Sequence, residues 1–237
     1  VNIMERISTG IKGLDKMLEG GLIPGRTYLV KGGPGTGKTT LTIQFLTEGV
    51  KNGEDVLYVT LEESLKTLKE DMSKMGFNLD DPKFDAIDAT PVTDMTHNIF
   101  AGTFYETFGK SFEKLMSSIQ DKVKSKHYSR VAIDPLTMLK LTVKDELDYR
   151  TTFIGFLKSL SELGATVILT SDLKTSDVEE YLVSGVIELK TLEVSGRILR
   201  GIIIRKFRGS SFDEQIRPYK ITTGGIRVYN NENIFVE

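Results

Sequence analysis

Ten consecutive residues carry the densest chemistry in this chain: Lys31, Gly32, Gly33, Pro34, Gly35, Thr36, Gly37, Lys38, Thr39 and Thr40. Gly32, Gly37, Lys38 and Thr39 occupy the fixed positions of the phosphate-loop pattern G-x-x-x-x-G-K-[ST]. Glycines let successive backbone N–H groups curl around a polyphosphate. The lysine brings a point charge to the outer phosphates, and the Thr39 hydroxyl suits Mg²⁺. A helix N-terminus behind the loop adds partial positive charge. Gly33 through Thr40 are therefore the candidate phosphate-binding residues. A glycine turn between a strand and a helix is the bland alternative.

Hydrolysis of a bound nucleotide needs more than this cradle. It needs a second anchor for Mg²⁺, a group that orients water, and positive charge near the terminal phosphate. Asp134 ends the apolar run Val131-Ala132-Ile133, where an acid would sit at the carboxyl edge of a sheet. With Thr39 it is the candidate Mg²⁺ pair; an acidic turn residue before Pro135 is the plain alternative. Glu62 and Glu63 follow another apolar run and are candidates for the water-orienting carboxylate, with Glu62 preferred. The competing role for either is an acid favouring the N-terminus of the following helix. Lys206 and Arg208 precede the turn Gly209-Ser210-Ser211. Two apart on an extended segment, they project to one side. The residues alone leave a charge-stabilising pair and a solvated edge-strand pair equally open.

The elements that must position these groups can be read from periodicity. Arg26–Val30 reads as a strand before the loop, and Thr39–Gly49 as a helix after it, with Leu41, Phe45 and Leu46 on one face. Further strands are expected over 55–61, 83–88 (an edge), 129–134 and 165–170. Helices are expected near the start of the chain (Leu14 and Leu18), after a Ser64 cap, within 109–126, and over 145–163. Residues 172–185 read as a polar loop. Four more strands, mostly antiparallel, follow over 185–192, 197–207, 215–221 and 226–229. Alternation of this kind predicts an α/β fold with a central, mostly parallel sheet flanked by helices.

At 237 residues the chain has room for one large α/β domain, and residues 1–237 are read as a single one. Lys and Arg total 31 against 33 Asp and Glu, a formal charge of -2, which argues against obligate nucleic-acid binding. There is no cysteine, so thiolate metal sites, disulfides and a cysteine nucleophile are excluded. No apolar run reaches the roughly 18 residues of a membrane span, and the N-terminus does not read as a signal peptide; a cytoplasmic protein is the expectation.

Several segments in this order resemble the RecA/RadA superfamily of ATPases, and most closely its KaiC-like branch. They are Ser8-Thr9-Gly10 with Gly13-Leu14-Asp15, the glycine loop, Val59 through Ser64, Ile133 through Thr137, Lys206 through Ser211, and Ile221-Thr222 with Gly225-Ile226. The likeness spans nearly the whole chain and implies a single KaiC-type domain. It implies ATP and Mg²⁺ as cofactors, slow hydrolysis used as a conformational switch, and Glu62 as water activator. It also implies that Lys206 and Arg208 reach the nucleotide of a neighbouring copy in a ring, usually a hexamer. Phe212 and Glu214 depart from the pattern, standing where the family's clock protein has a histidine and a lysine.

Two other classes stay open: a RadA-paralogue accessory that binds single-stranded DNA in repair, and a nucleotide-sensing scaffold with negligible turnover. Between Asp172 and Gly185 one lysine faces four acids, which argues against phosphate contact there, and Tyr181 reads as packing before base stacking. Phe100, Phe104, Phe108 and Phe112 recur at helical spacing within 95–112, beside Tyr105. They read as an insertion helix packed on the domain, with a protein-partner surface as the alternative.

Overall fold

The computed structural model describes residues 5–90, 116–137, 145–172, 177–194 and 196–234. The aromatic segment 95–112 lies outside them. Nine strands form one sheet in the order β3-β2-β4-β5-β1-β6-β7-β8-β9. The strands are β1 (Thr27–Gly32), β2 (Val56–Thr60), β3 (Phe84–Asp88), β4 (Arg130–Asp134), β5 (Thr166–Ser171), β6 (Gly185–Val194), β7 (Arg197–Phe207), β8 (Arg217–Thr222) and β9 (Gly225–Val228). Neighbours from β3 to β6 run parallel. From β6 to β9 they run antiparallel. The expected mostly parallel sheet with antiparallel C-terminal strands is thus observed, with β3 at the edge.

Helices cover both faces. α1 (Lys12–Met17), α2 (Lys38–Lys51) and α3 (Leu65–Lys74) lie on one face, packing Leu14, Phe45, Leu46 and Leu68 against Tyr28, Val30 and Ile168. The other face carries α4 (116–125), α5 (Glu146–Ser161) and α6 (Asp177–Leu182), which pack Ile119, Phe153, Phe156 and Val178 against Leu29, Val131 and Leu169. Burial on both faces explains why β2, β4 and β5 are buried at every position. The start of α3 matches its expected cap, the Ser64 side chain accepting from Thr67 N, and α5 is capped in the same way by Asp145, whose side chain accepts from Asp148 N.

One expectation fails here. Residues 172–185 are not simply a polar loop, because 177–182 form α6. Its apolar contribution is a single turn around Val178, too short to give a helical period, and two of its three acids, Glu179 and Glu180, find partners inside the fold. The Glu179 side chain is fully buried and accepts from Tyr149 Oη at 2.6 Å. Burial and Glu179 together raise the Tyr149 hydroxyl far above its ordinary range, so it remains a donor.

The opening Ser-Thr-Gly signature has a structural task. Asp15 in α1 accepts from Ser8 Oγ, Thr9 N and Thr9 Oγ1 at 2.7, 2.7 and 2.6 Å. The resulting turn delivers the Ser8 carbonyl to Arg130 Nη1 at 2.7 Å. Arg130 is 1% exposed. It bonds Glu54 at 2.6 and 3.0 Å and lies 4.9 Å from the Phe45 ring centre, joining β4 to α2 and to the segment before α1.

Candidate active site

The glycine loop joins the carboxyl end of β1 to the N-terminus of α2. Gly37 is the N-cap, with φ 92°, and no side chain caps the helix. The first intrahelical bond at this end runs from Leu41 N to Gly37 O, so the N–H groups of Lys38, Thr39 and Thr40 precede the ladder. A Cβ at Gly37 would stand 2.9 Å from Ile221 Cδ1, and one at Gly32 would stand 2.6 Å from Thr36 Oγ1. Neither position accommodates a side chain. Pro34 and Gly35 are exposed, whereas Thr36 and Thr40 are buried. Thr36 Oγ1 donates to Gly33 O at 2.7 Å, and Tyr219 Oη of β8 donates to Thr36 O at 2.6 Å. Burial pushes the Tyr219 hydroxyl up to about 12, so it stays a donor at neutral pH.

Lys38 Nζ donates to Gly32 O at 2.6 Å, Gly33 O at 3.2 Å and Asp172 Oδ1 at 3.1 Å. Asp172 follows β5 directly. Nothing in the sequence marked it beyond a polar residue ending an apolar run. Thr39 Oγ1 donates to Asp134 Oδ2 at 2.7 Å. Tyr58 Oη reaches the same oxygen at 2.9 Å, and Thr170 Oγ1 donates to Asp134 Oδ1. Burial first, then the charge and hydrogen bond of Asp134, hold the Tyr58 hydroxyl well above its ordinary range. Asp134 is thereby fixed by three hydroxyls from three elements, its carboxylate facing the first turn of α2. Tyr58 and Thr170 could have been suspected only as polar side chains inside otherwise apolar strands.

The glutamate pair sits beside this acid. Leu61 N donates to Asp134 O at 2.9 Å, and Thr60 Oγ1 donates to Glu63 O at 2.5 Å. Glu63 is partly buried and Glu62 is exposed. Burial first, then the negative charges of Asp71, Asp134 and Glu62, raise the Glu63 carboxyl above its usual range.

Lys206 and Arg208 are elsewhere. Phe207 pairs with Gly185, which pairs with Tyr28 near the start of β1. The loop leaves the other end of that strand, after Gly32. Strand rise makes the separation along the sheet roughly 13 Å. A bulge between Val186 and Ile187 leaves Arg205 unopposed. Ile202, Ile204 and Phe207 all face the α1–α3 layer, yet Lys206 emerges on the α6 side. There its Nζ donates to the carbonyls of Glu180 and Tyr181, both at 2.7 Å, and Arg208 Nη2 donates to Tyr181 O at 2.8 Å. Burial first, then the Arg208 charge, lower the Lys206 ammonium below its ordinary range, against an opposing pull from Glu180. The two cations do project together, as their spacing implied.

Beside them Tyr181 is 67% exposed and does not pack inward. Phe212 does pack, against the α1–α3 core, while Glu214 is exposed. A groove of about 630 Å³ is walled by apolar and polar residues alike, among them Ile198, Arg200, Tyr219, Lys220, Ile221 and Glu232, and Tyr219 ties it to the loop through Thr36. Among the described residues no helix is long and apolar enough to cross a membrane.

A family model described as ATPase: KaiC matches residues 7–233. A UPF0273 protein of Methanopyrus kandleri is 33% identical, covering 99% of this chain and 95% of its own length. Circadian clock protein KaiC3 of Synechocystis is 28% identical over 92% of this chain but only 44% of its own. Among solved structures, a KaiC-like protein from Pyrococcus horikoshii superimposes with a TM-score of 0.77 at 30% identity, covering 95% of this chain and 99% of that one.

Proposed function

The chain belongs to the KaiC family of ATPases, and we propose on that premise that it binds ATP with Mg²⁺ and hydrolyses it slowly, as a conformational switch within a homo-oligomer. One observation carries this reading. The loop and Asp134 meet at the carboxyl ends of the strands, while the basic pair lies at the opposite end of the same sheet. Lys206 and Arg208 are too far from their own loop to serve it, but a second copy docked head to tail would receive them.

The residues present fit the nucleotide and the metal. Gly32 and Gly37 leave a cradle that a Cβ would fill. The unpaired N–H groups at the start of α2 suit phosphate oxygens. Gly33, Pro34, Gly35, Thr36, Gly37, Lys38, Thr39 and Thr40 would hold the phosphates, and the groove beside Tyr219, lined by apolar and polar side chains alike, offers room for the nucleoside. Thr39 and Asp134 would hold Mg²⁺, Thr39 through its hydroxyl and Asp134 through the carboxylate that already orients that hydroxyl. When bound, Mg²⁺ neutralises charge on the phosphate oxygens.

Each remaining step falls to a side chain. Lys38 would exchange its loop-carbonyl and Asp172 contacts for the outer phosphates. Glu62 orients the attacking water and accepts its proton, with Glu63 as the candidate beside it. Lys206 and Arg208 of the neighbouring copy stabilise charge on the transferred phosphoryl group.

The test is phosphate release with Mg²⁺-ATP, combined with mass measurement by light scattering in the presence and absence of ATP. Turnover together with an ATP-dependent assembly is expected. A purified chain that neither binds nor hydrolyses ATP, or that keeps both properties after Lys38→Ala, would refute the proposal.

A further inference from the structure

Helix α6 is in contact with both halves of this arrangement, and Glu180 is where the contacts meet. Its carboxylate accepts from Lys31 Nζ. Lys31 lies in β1 one residue before Gly32, whose carbonyl holds Lys38. The backbone carbonyl of the same Glu180 accepts from Lys206, and the next carbonyl, of Tyr181, accepts from both Lys206 and Arg208. The last carbonyls of a helix have no partner within it and carry partial negative charge, so the two cations act as its C-terminal cap.

A second path joins the same lysine to the bulge. Lys31 lies 3.9 Å from Glu188, and Glu188 accepts from Arg205 Nε at 2.5 Å. Burial alone would raise the Glu188 carboxyl. The Arg205 hydrogen bond and the charges of Lys31, Arg205 and Lys190 outweigh it and hold the group below its usual range. Both residues of β7 at the bulge, Arg205 and Lys206, are therefore tied to Lys31 through a glutamate.

We propose that Glu180 is a positioning residue, linking the phosphate loop of one subunit to the basic pair that the same subunit presents to the next. This rests on the reading of Lys206 and Arg208 as acting on a neighbouring copy. A polyphosphate that engages Lys38 competes with the Gly32, Gly33 and Asp172 oxygens now holding it. Gly32 and Lys31 are adjacent in one strand, so a shift of the Gly32 peptide moves the lysine that anchors Glu180. The α6 cap then moves with it. Linkage makes the effect reciprocal: engagement of the pair by a neighbour alters nucleotide affinity at the loop behind it, typically by about 5- to 150-fold.

The chain has no tryptophan, which permits a clean reporter. Tyr181 is exposed, and its ring lies 6.0 Å from Lys206 Nζ. In full-length Tyr181→Trp, a non-hydrolysable ATP analogue with Mg²⁺ is expected to shift the emission. Adding Glu180→Gln should abolish the shift while the analogue still binds, Lys31→Met should do the same, and Lys31→Arg should restore it. In turnover, a Hill coefficient above one should fall to one with Glu180→Gln.

An emission shift and a Hill coefficient that survive Glu180→Gln would overturn the proposal, as would a reporter that never responds. If the tryptophan itself disturbs the cap, hydrogen exchange at the α6 amides with and without the analogue makes the same comparison in the unmodified chain, with protection expected to change only when Glu180 is present. The underlying reading fails separately: Lys206→Ala with Arg208→Ala would then leave turnover untouched, whatever Glu180→Gln does.

Discussion

The parallel and antiparallel halves of the sheet hold their charged groups in different ways. In the parallel half, Asp134 is 6% exposed and receives hydroxyls from Thr39, Tyr58 and Thr170, while Arg130 is enclosed by Glu54, two carbonyls and a ring. Those side chains are committed to one geometry by packing. In the antiparallel half, Lys206 and Arg208 rest on backbone carbonyls at the end of a six-residue helix, with Arg208 and Tyr181 open to solvent. Past Ile202, β7 has β6 on one side only among the described residues. A rigid half suits groups that must meet a ligand in register. Cations held by backbone carbonyls fit the proposed role of reaching a second copy.

The largest break in this comparison should come from the exposed side. Lys206→Ala with Arg208→Ala is expected to lower turnover by about 10³-fold or more, the scale of an arginine finger, a loss larger than any change in nucleotide affinity read by fluorescent-nucleotide titration. Mixing these chains with Lys38→Ala chains should recover activity, because intact loops then receive intact pairs. No recovery on mixing, with both variants still assembling, would place the pair in cis.

Next in size is the loop itself. Lys38→Ala removes a charge-assisted contact and should weaken nucleotide binding by about 10- to 100-fold, as read by calorimetry, with oligomer mass losing its ATP dependence.

A third measurement probes the rigidity of the parallel half. Glu54→Gln leaves the buried Arg130 guanidinium without its counter-ion. Because the Glu54 side chain is 25% exposed, the cost is set at about 2–3 kcal/mol in urea denaturation, below the roughly 3–5 kcal/mol of a fully enclosed pair. An unchanged midpoint would mean that the carbonyls of Ser8 and Phe45 suffice.

The smallest effect concerns pH. The Glu63 carboxyl is raised in the folded chain, so the fold binds a proton there more readily than the unfolded chain does. Its stabilising contribution is present at low pH and is lost as pH rises through the folded value. Glu63→Gln should therefore raise the melting temperature slightly at neutral pH, and the gain should close as the pH falls to about 4. A gain that is constant across this range would assign the effect to packing.

Much of the parallel half could be read in advance because its signals are local. Apolar runs of strand length, a Ser64 cap and a glycine pattern each depend on a few neighbouring residues, and β1, α2, β2, β4 and β5 lie where those signals placed them. Asp134 was visible for the same reason, as an acid ending a buried strand. α6 was not, since its buried acid and its bonded acid look like solvated charges until Tyr149 and Lys31 are brought alongside.

By itself the amino-acid sequence determined the glycine loop, the acid opposite it, and the order of the strands and of the helices other than α6, because glycine freedom, side-chain period and charge act over a few residues. Only the tertiary structure decided where the basic pair lies. The bulge at Arg205 turns Lys206 away from the face shared by Ile202 and Ile204, and the pairing through Gly185 sets it level with Tyr28, away from the loop. Register and bulges are properties of two strands together, and neither strand records them alone.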